Sequence, residues 1–142
     1  MKTTRTPFSS ISAIIAGTLV AASLLANPLA HAAEKAGSQL QIPATSAAIW
    51  QAIDKETAQL ASLIQTGKLE QVHHHAFAIR DLVAALPAHS GALPAAKLAQ
   101  LKTSSKFVAT LAERLDASGD AKDQAGTESN FKKLKGVLAG LK

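Results

Sequence analysis

The sequence predicts an all-α protein: an antiparallel up-down-up-down four-helix bundle that follows a cleaved export signal. Three observations predict it. Apolar residues recur at three- and four-residue steps in four successive segments. Helix-breaking residues separate those segments at Gly67, Pro87, Pro94 and Ser118-Gly119. No segment alternates apolar and polar residues for long enough to compete as a strand.

The first element is an address. Lys2 and Arg5 make a short basic start, and no acidic residue precedes Glu34. The uncharged run 11–26, ISAIIAGTLVAASLLA, is shorter than the roughly 20 apolar residues of a membrane span. Asn27-Pro28 breaks it. Ala30-His31-Ala32 then presents small side chains before Ala33, so signal peptidase is expected to cut between Ala32 and Ala33. Residues 1–32 are thus a predicted secretory signal peptide and the product is periplasmic, with no stable membrane insertion after cleavage. Residues 33–44 are small and polar and end around Pro43, as a flexible leader does; residues 45–142 carry the bundle.

Cleavage removes Lys2 and Arg5, so the net charge falls by two, from +5 to +3. The remaining surplus lies near Lys132, Lys133, Lys135 and Lys142. So small a surplus, without interleaved aromatic residues, predicts no nucleic-acid partner. The absence of cysteine excludes disulfides, thiolate metal sites, a covalently attached haem, a cysteine nucleophile and a lipoprotein anchor.

Within the bundle, Thr45 or Ser46 caps the first helix by accepting a bond from its free first-turn N–H groups. Ile49, Ile53, Leu60, Leu63 and Ile64 form its apolar stripe, with Trp50 beside it. Gly67 stops it, because glycine accepts the left-handed conformation common just past a helix end. The second helix runs from about Lys68 to Leu86, with Leu69, Val72, Ala76, Ile79, Val83 and Leu86 at heptad-like spacing. Pro87 ends it, residues 87–93 form a loop, and Pro94 opens the third helix, where its missing N–H costs nothing.

The third stripe is Leu98, Leu101, Ser105, Val108, Ala112 and Leu115, closing at Ser118-Gly119. The fourth helix starts near Asp120, the expected N-cap, with Asp123 in its first turn where the helix dipole favours a carboxylate. Thr127, Phe131, Leu134, Leu138 and Leu141 form its stripe. Short connections make neighbouring helices antiparallel, and the stripe spacing favours shallow crossing angles.

The chemistry is concentrated in Val72-His73-His74-His75-Ala76. Consecutive helical residues point about 100° apart, so three imidazoles cannot share one ion without unwinding. With Val72 facing the core, His74 points to water near Glu70 and Asp81. His73 takes one flank with Phe77 and Arg80, and His75 the other with Leu82 and Leu86. Glu70 and His74, four residues apart, can bind Zn²⁺, Cu²⁺ or Ni²⁺ weakly until another helix or subunit adds ligands. Alternatively, His73 or His75 meets ligands from a neighbouring helix. In a purely structural arrangement His74 is solvated, while its two neighbours pack their rings and bond a carbonyl or carboxylate. His89 lies in a loop, and His31 leaves with the signal.

The acidic turn Asp116, Asp120, Asp123 and Glu128 fails as a calcium loop. Counted from Asp116, its sixth position is Ala121 rather than glycine and its twelfth is Thr127 rather than glutamate. No GxSxG, P-loop, GxGxxG or HExxH motif is present, so no enzyme is predicted.

The signal and the four heptad-patterned helices, in a mature chain of about 110 residues, resemble the periplasmic four-helix haem proteins, cytochrome c-prime and its b-haem relative. That resemblance implies a bundle. Its haem ligands do not carry over: CxxCH is absent, Met1 is the sole methionine, and the last helix has no histidine. Haem by that route is not expected; b-type haem on His73 or His75 stays as a further alternative. The stretch VHHHAFAIRDLVAALP is similar to small exported helical proteins associated with bacterial metal efflux. This second resemblance implies a metal-handling accessory.

The expected protein is therefore non-enzymatic, with Glu70, His73, His74 and His75 as candidate ligands for copper, zinc or nickel, or with an envelope partner or a second copy as its contact. Metal binding should weaken below about pH 6, as imidazole protonates. The alternative is a structural or interaction bundle without metal.

Overall fold

The computed structural model describes residues 40–142. The expected signal peptide, residues 1–32, and most of the expected leader lie outside the described residues. Among the described residues the fold is all-α, with four α-helices: α1 Ser46–Gln65, α2 Val72–Ala85, α3 Ala95–Asp120 and α4 Gln124–Ala139. Short 3-10 helices, Leu69–Gln71 and Leu86–His89, bracket α2, and no strand occurs among the described residues.

Local chemistry sets the ends. Thr45 caps α1, its Oγ1 accepting from the Ala48 N–H at 3.2 Å. Gly67 has φ +69°, which lets Lys68 N–H donate to Leu63 O (2.9 Å) and Gly67 N–H to Ile64 O (3.2 Å). This left-handed closure satisfies carbonyls that the last turn would leave open.

Four boundaries differ from the sequence expectation. Pro87 does not end α2 abruptly; after Ala85 the chain tightens into a 3-10 helix that carries the proline near its start. Pro94 lies one position before the first residue of α3, as its cap. Most consequentially, Ser118-Gly119 does not close α3, which continues to Asp120. Its terminator is Lys122, at φ +54°, with Lys122 N–H donating to Gly119 O and Asp123 N–H to Ser118 O, both at 2.9 Å. Asp123, not Asp120, caps α4, with Oδ1 accepting from the Gly126 N–H at 2.9 Å.

A lysine in the left-handed region costs roughly 1–2 kcal/mol in Cβ–carbonyl crowding that glycine avoids. Lys122→Gly is therefore expected to raise stability by about 1 kcal/mol, less than the full strain because glycine also loosens the unfolded chain. An unchanged or lower urea midpoint would count against this closure.

The core joins all four helices. Ile49, Ile53, Leu60 and Ile64 come from α1, and Val72, Ala76, Ile79, Leu82 and Val83 from α2, with Leu69 and Leu86 in its flanking turns. Leu101, Val108, Leu111, Ala112 and Leu115 face inward from α3, and Phe131, Leu134 and Leu138 from α4. Leu82 and Leu111 widen the expected stripes, whereas Leu63, Leu98, Ser105 and Leu141 are only half-buried. The widening follows from position: α2 packs against both α1 and α3, and α3 against both α2 and α4. A helix between two neighbours needs a broader apolar face than a single seam supplies.

Thr127 is the fully buried polar residue of α4; its hydroxyl donates to Asp123 O (2.7 Å) and lies 3.0 Å from Ser118 Oγ. A hydroxyl so satisfied does not carry the penalty of an unpaired buried group. Leu40, from the leader, and Trp50 pack partly against the core, and Phe77 lies under the Arg80 guanidinium at 4.6 Å. No described helix is long and apolar enough to cross a membrane.

Two elements approach closely at Gly119. A Cβ built on it would lie 2.7 Å from the carbonyl oxygen of Leu69 and 3.4 Å from Val72 Cβ. The last turn of α3 therefore rests directly on the beginning of α2.

Candidate metal centre

This close approach fixes what the three histidines meet. Val72, fully buried, sets the rotation of α2, and the next three side chains enter three environments. His73 is half-buried on the α3 side, His74 is exposed, and His75 is half-buried on the α1 side.

His73 meets two carboxylates. Asp116 and Asp120 are four residues apart, one turn along α3, and so project from the same face. One ligand atom from each of His73, Asp116 and Asp120 can be chosen so that all three lie within 4.8 Å of one another. Asp116 is half-buried, with Oδ1 shut off from solvent, and Asp120 is exposed. Nitrogen and oxygen ligands at about 2.0–2.2 Å from a shared ion stand roughly 3–3.5 Å apart, so modest side-chain rotation would close this set. The group combines an inner carboxylate, an imidazole at the seam and an outer carboxylate open to water.

His75 turns away from that group. Its Nδ1–H donates to Glu56 Oε2 on α1 at 2.6 Å, with the two side chains 25% and 18% exposed. This is the carboxylate bond expected of a boundary histidine with a structural role, and it ties α1 to α2.

His74 departs from simple helical geometry. The Cα–Cβ bonds of neighbouring residues diverge, but the His73 and His74 rings fold towards each other, with centroids 3.8 Å apart and planes tilted by 44°. His74 titrates below the usual imidazole range because partial desolvation, and then the charges of His73 and His75, disfavour its imidazolium form. The sign follows: this group's contribution to stability is present above about pH 6.5 and is lost as the pH falls through its lowered pKa.

Glu70 is exposed and sits in the 3-10 helix before α2. Its four-residue spacing from His74 is therefore not a spacing within one α-helix. The structure brings His73 together with Asp116 and Asp120; Glu70, His74 and His75 are not members of that three-atom group. His89, at the other end of α2, donates Nδ1–H to Ala44 O at 3.0 Å.

Sequence reasoning missed Asp116 and Asp120 as partners of His73. By local pattern these residues fail as a calcium loop, and Gly119 has the look of a helix stop that would make Asp120 a cap. The available signal was their four-residue spacing beside the stripe residues Ala112 and Leu115. Together with α3 folding back on α2, that spacing sets these carboxylates opposite the histidine run.

The set offers one nitrogen and two carboxylate oxygens, suited to a divalent ion of borderline or hard character. With no cysteine and Met1 the sole methionine, the described residues contain no sulfur donor for a soft monovalent ion. Comparison of the chain with known protein families, with curated proteins and with solved structures finds no match.

Proposed function

We propose that this is an exported, periplasmic and non-enzymatic up-down-up-down bundle that holds a divalent transition-metal ion weakly and serves as an accessory in metal handling. The ion sits between α2 and α3 on His73, Asp116 and Asp120. The observation that carries this reading is the convergence of three donor atoms from two helices within 4.8 Å. Export rests on the N-terminal pattern of residues 1–32. The antiparallel arrangement is supported by cross-links between opposite ends of the sequence elements. Gln124, opening α4, donates to Ile64 O near the end of α1, and Gln100, early in α3, donates to Gly140 O just past α4.

Three protein ligands leave coordination positions for water or for a donor from a partner. An open set suits a site that takes up and releases its ion, whereas structural zinc sites are usually closed by four protein ligands. Partial exposure of the set also favours exchange.

Calorimetric titration of the exported protein with Zn²⁺, Cu²⁺ and Ni²⁺ tests the assignment. One equivalent should bind, with affinity falling as imidazole protonates below about pH 6. His73→Ala and the double variant Asp116→Asn/Asp120→Asn should each lose at least about tenfold in affinity, the least that losing an outer partner of a metal ligand typically costs. Affinities equal to wild type in both variants would remove the ion from this seam. No binding, with no metal-dependent rise in thermal midpoint, would instead favour a bundle that only docks another envelope protein.

A further inference from the structure

We propose that His74 is the fourth protein ligand, rotating from solvent onto the ion held by its neighbour His73 and by Asp116 and Asp120. This rests on the metal-binding reading above and adds to it a coordination number and a direction of approach. Three observations carry it. The His73 and His74 ring centroids are 3.8 Å apart, although their backbone positions point the side chains in different directions. His74 is exposed, so its ring can turn without disturbing the core. His75, the only other histidine in the run, is committed across the opposite seam to Glu56 at 2.6 Å.

The required movement is small. Two imidazoles bound side by side to one ion, with metal–nitrogen distances of about 2.0–2.1 Å, hold their ligating nitrogens roughly 3 Å apart. Rings already in contact at 3.8 Å need to re-aim their nitrogens rather than cross a gap. The completed set is two imidazoles and two carboxylates, which a four-coordinate ion such as Zn²⁺ accepts. His74 completes the set only while its exposed ring is turned in; turned out, it leaves the fourth position to water, so the site still exchanges its ion.

Cobalt(II) distinguishes the two levels of the proposal, because its visible absorption is intense when four-coordinate and faint when six-coordinate. The exported protein titrated with Co²⁺ alone should develop the intense spectrum, and His75→Ala should reproduce it. His74→Ala, an exposed substitution whose helicity circular dichroism can verify, should bind Co²⁺ at least about tenfold more weakly and give a visibly altered spectrum, as water replaces an imidazole. A His74→Ala protein matching wild type in both spectrum and affinity overturns the fourth ligand while leaving His73, Asp116 and Asp120 in place. A His73→Ala protein matching wild type overturns the seam site and the fourth ligand together.

Discussion

Replacing Gly119 with alanine is expected to destabilise the protein by up to about 2 kcal/mol. This is the roughly 1–3 kcal/mol of overpacking less the nearly 1 kcal/mol that alanine gains over glycine inside a helix. The new Cβ would lie 2.7 Å from Leu69 O, a backbone atom that cannot swing aside as a side-chain end can. Val72 Cβ, at 3.4 Å, hinders escape in a second direction. The control is Gly136→Ala in α4, where nothing lies within 4 Å of the added carbon and about 0.5–1 kcal/mol should be gained. Urea unfolding of both variants should give shifts of opposite sign. If the two proteins are stabilised alike, α3 does not rest on the start of α2.

Leu115→Ala has the largest expected effect, a loss of about 2–5 kcal/mol. Leu115 is fully buried in α3, the helix that packs against both α2 and α4, so truncation leaves a cavity that surrounding helices can only partly fill. Against a total stability of about 5–15 kcal/mol for a domain of this size, the loss should lower the thermal midpoint by roughly 10 °C or more. Phe107, on the same helix and 60% exposed, provides the contrast: Phe107→Ala should change stability by no more than about 0.5 kcal/mol. Comparable losses in the two variants would show that α3 presents a different face to its neighbours.

The two predictions also separate what the sequence made legible from what it concealed. The stripe Leu69, Val72, Ala76, Ile79, Val83 and Leu86 is buried throughout, because a three-four spacing on an α-helix leaves one geometric outcome. Leu82 and Leu111 escaped that pattern, because a helix flanked on two sides buries residues beyond a single seam. Gly119 was read by its commonest local role, helix termination, when its role here is tertiary. Lys122 was missed as the real terminator because lysine carries no preference for positive φ.

The candidate site divides in the same way. That His73 and His75 lie on the flanks of α2, with His74 outward, follows from the register of one helix. That His73 faces Asp116 and Asp120 depends on how a second helix, more than forty residues downstream, lies against the first. Nor does helical geometry foretell the contact between the His73 and His74 rings, since side-chain torsions decide it.

The bond from His75 to Glu56 has a mechanical consequence. It acts as a strut on one flank of α2, resisting any roll of that rod about its long axis. The opposite flank carries no such brace from His75, so any change in the spacing between His73 and the carboxylates of Asp116 and Asp120 falls on side-chain torsions.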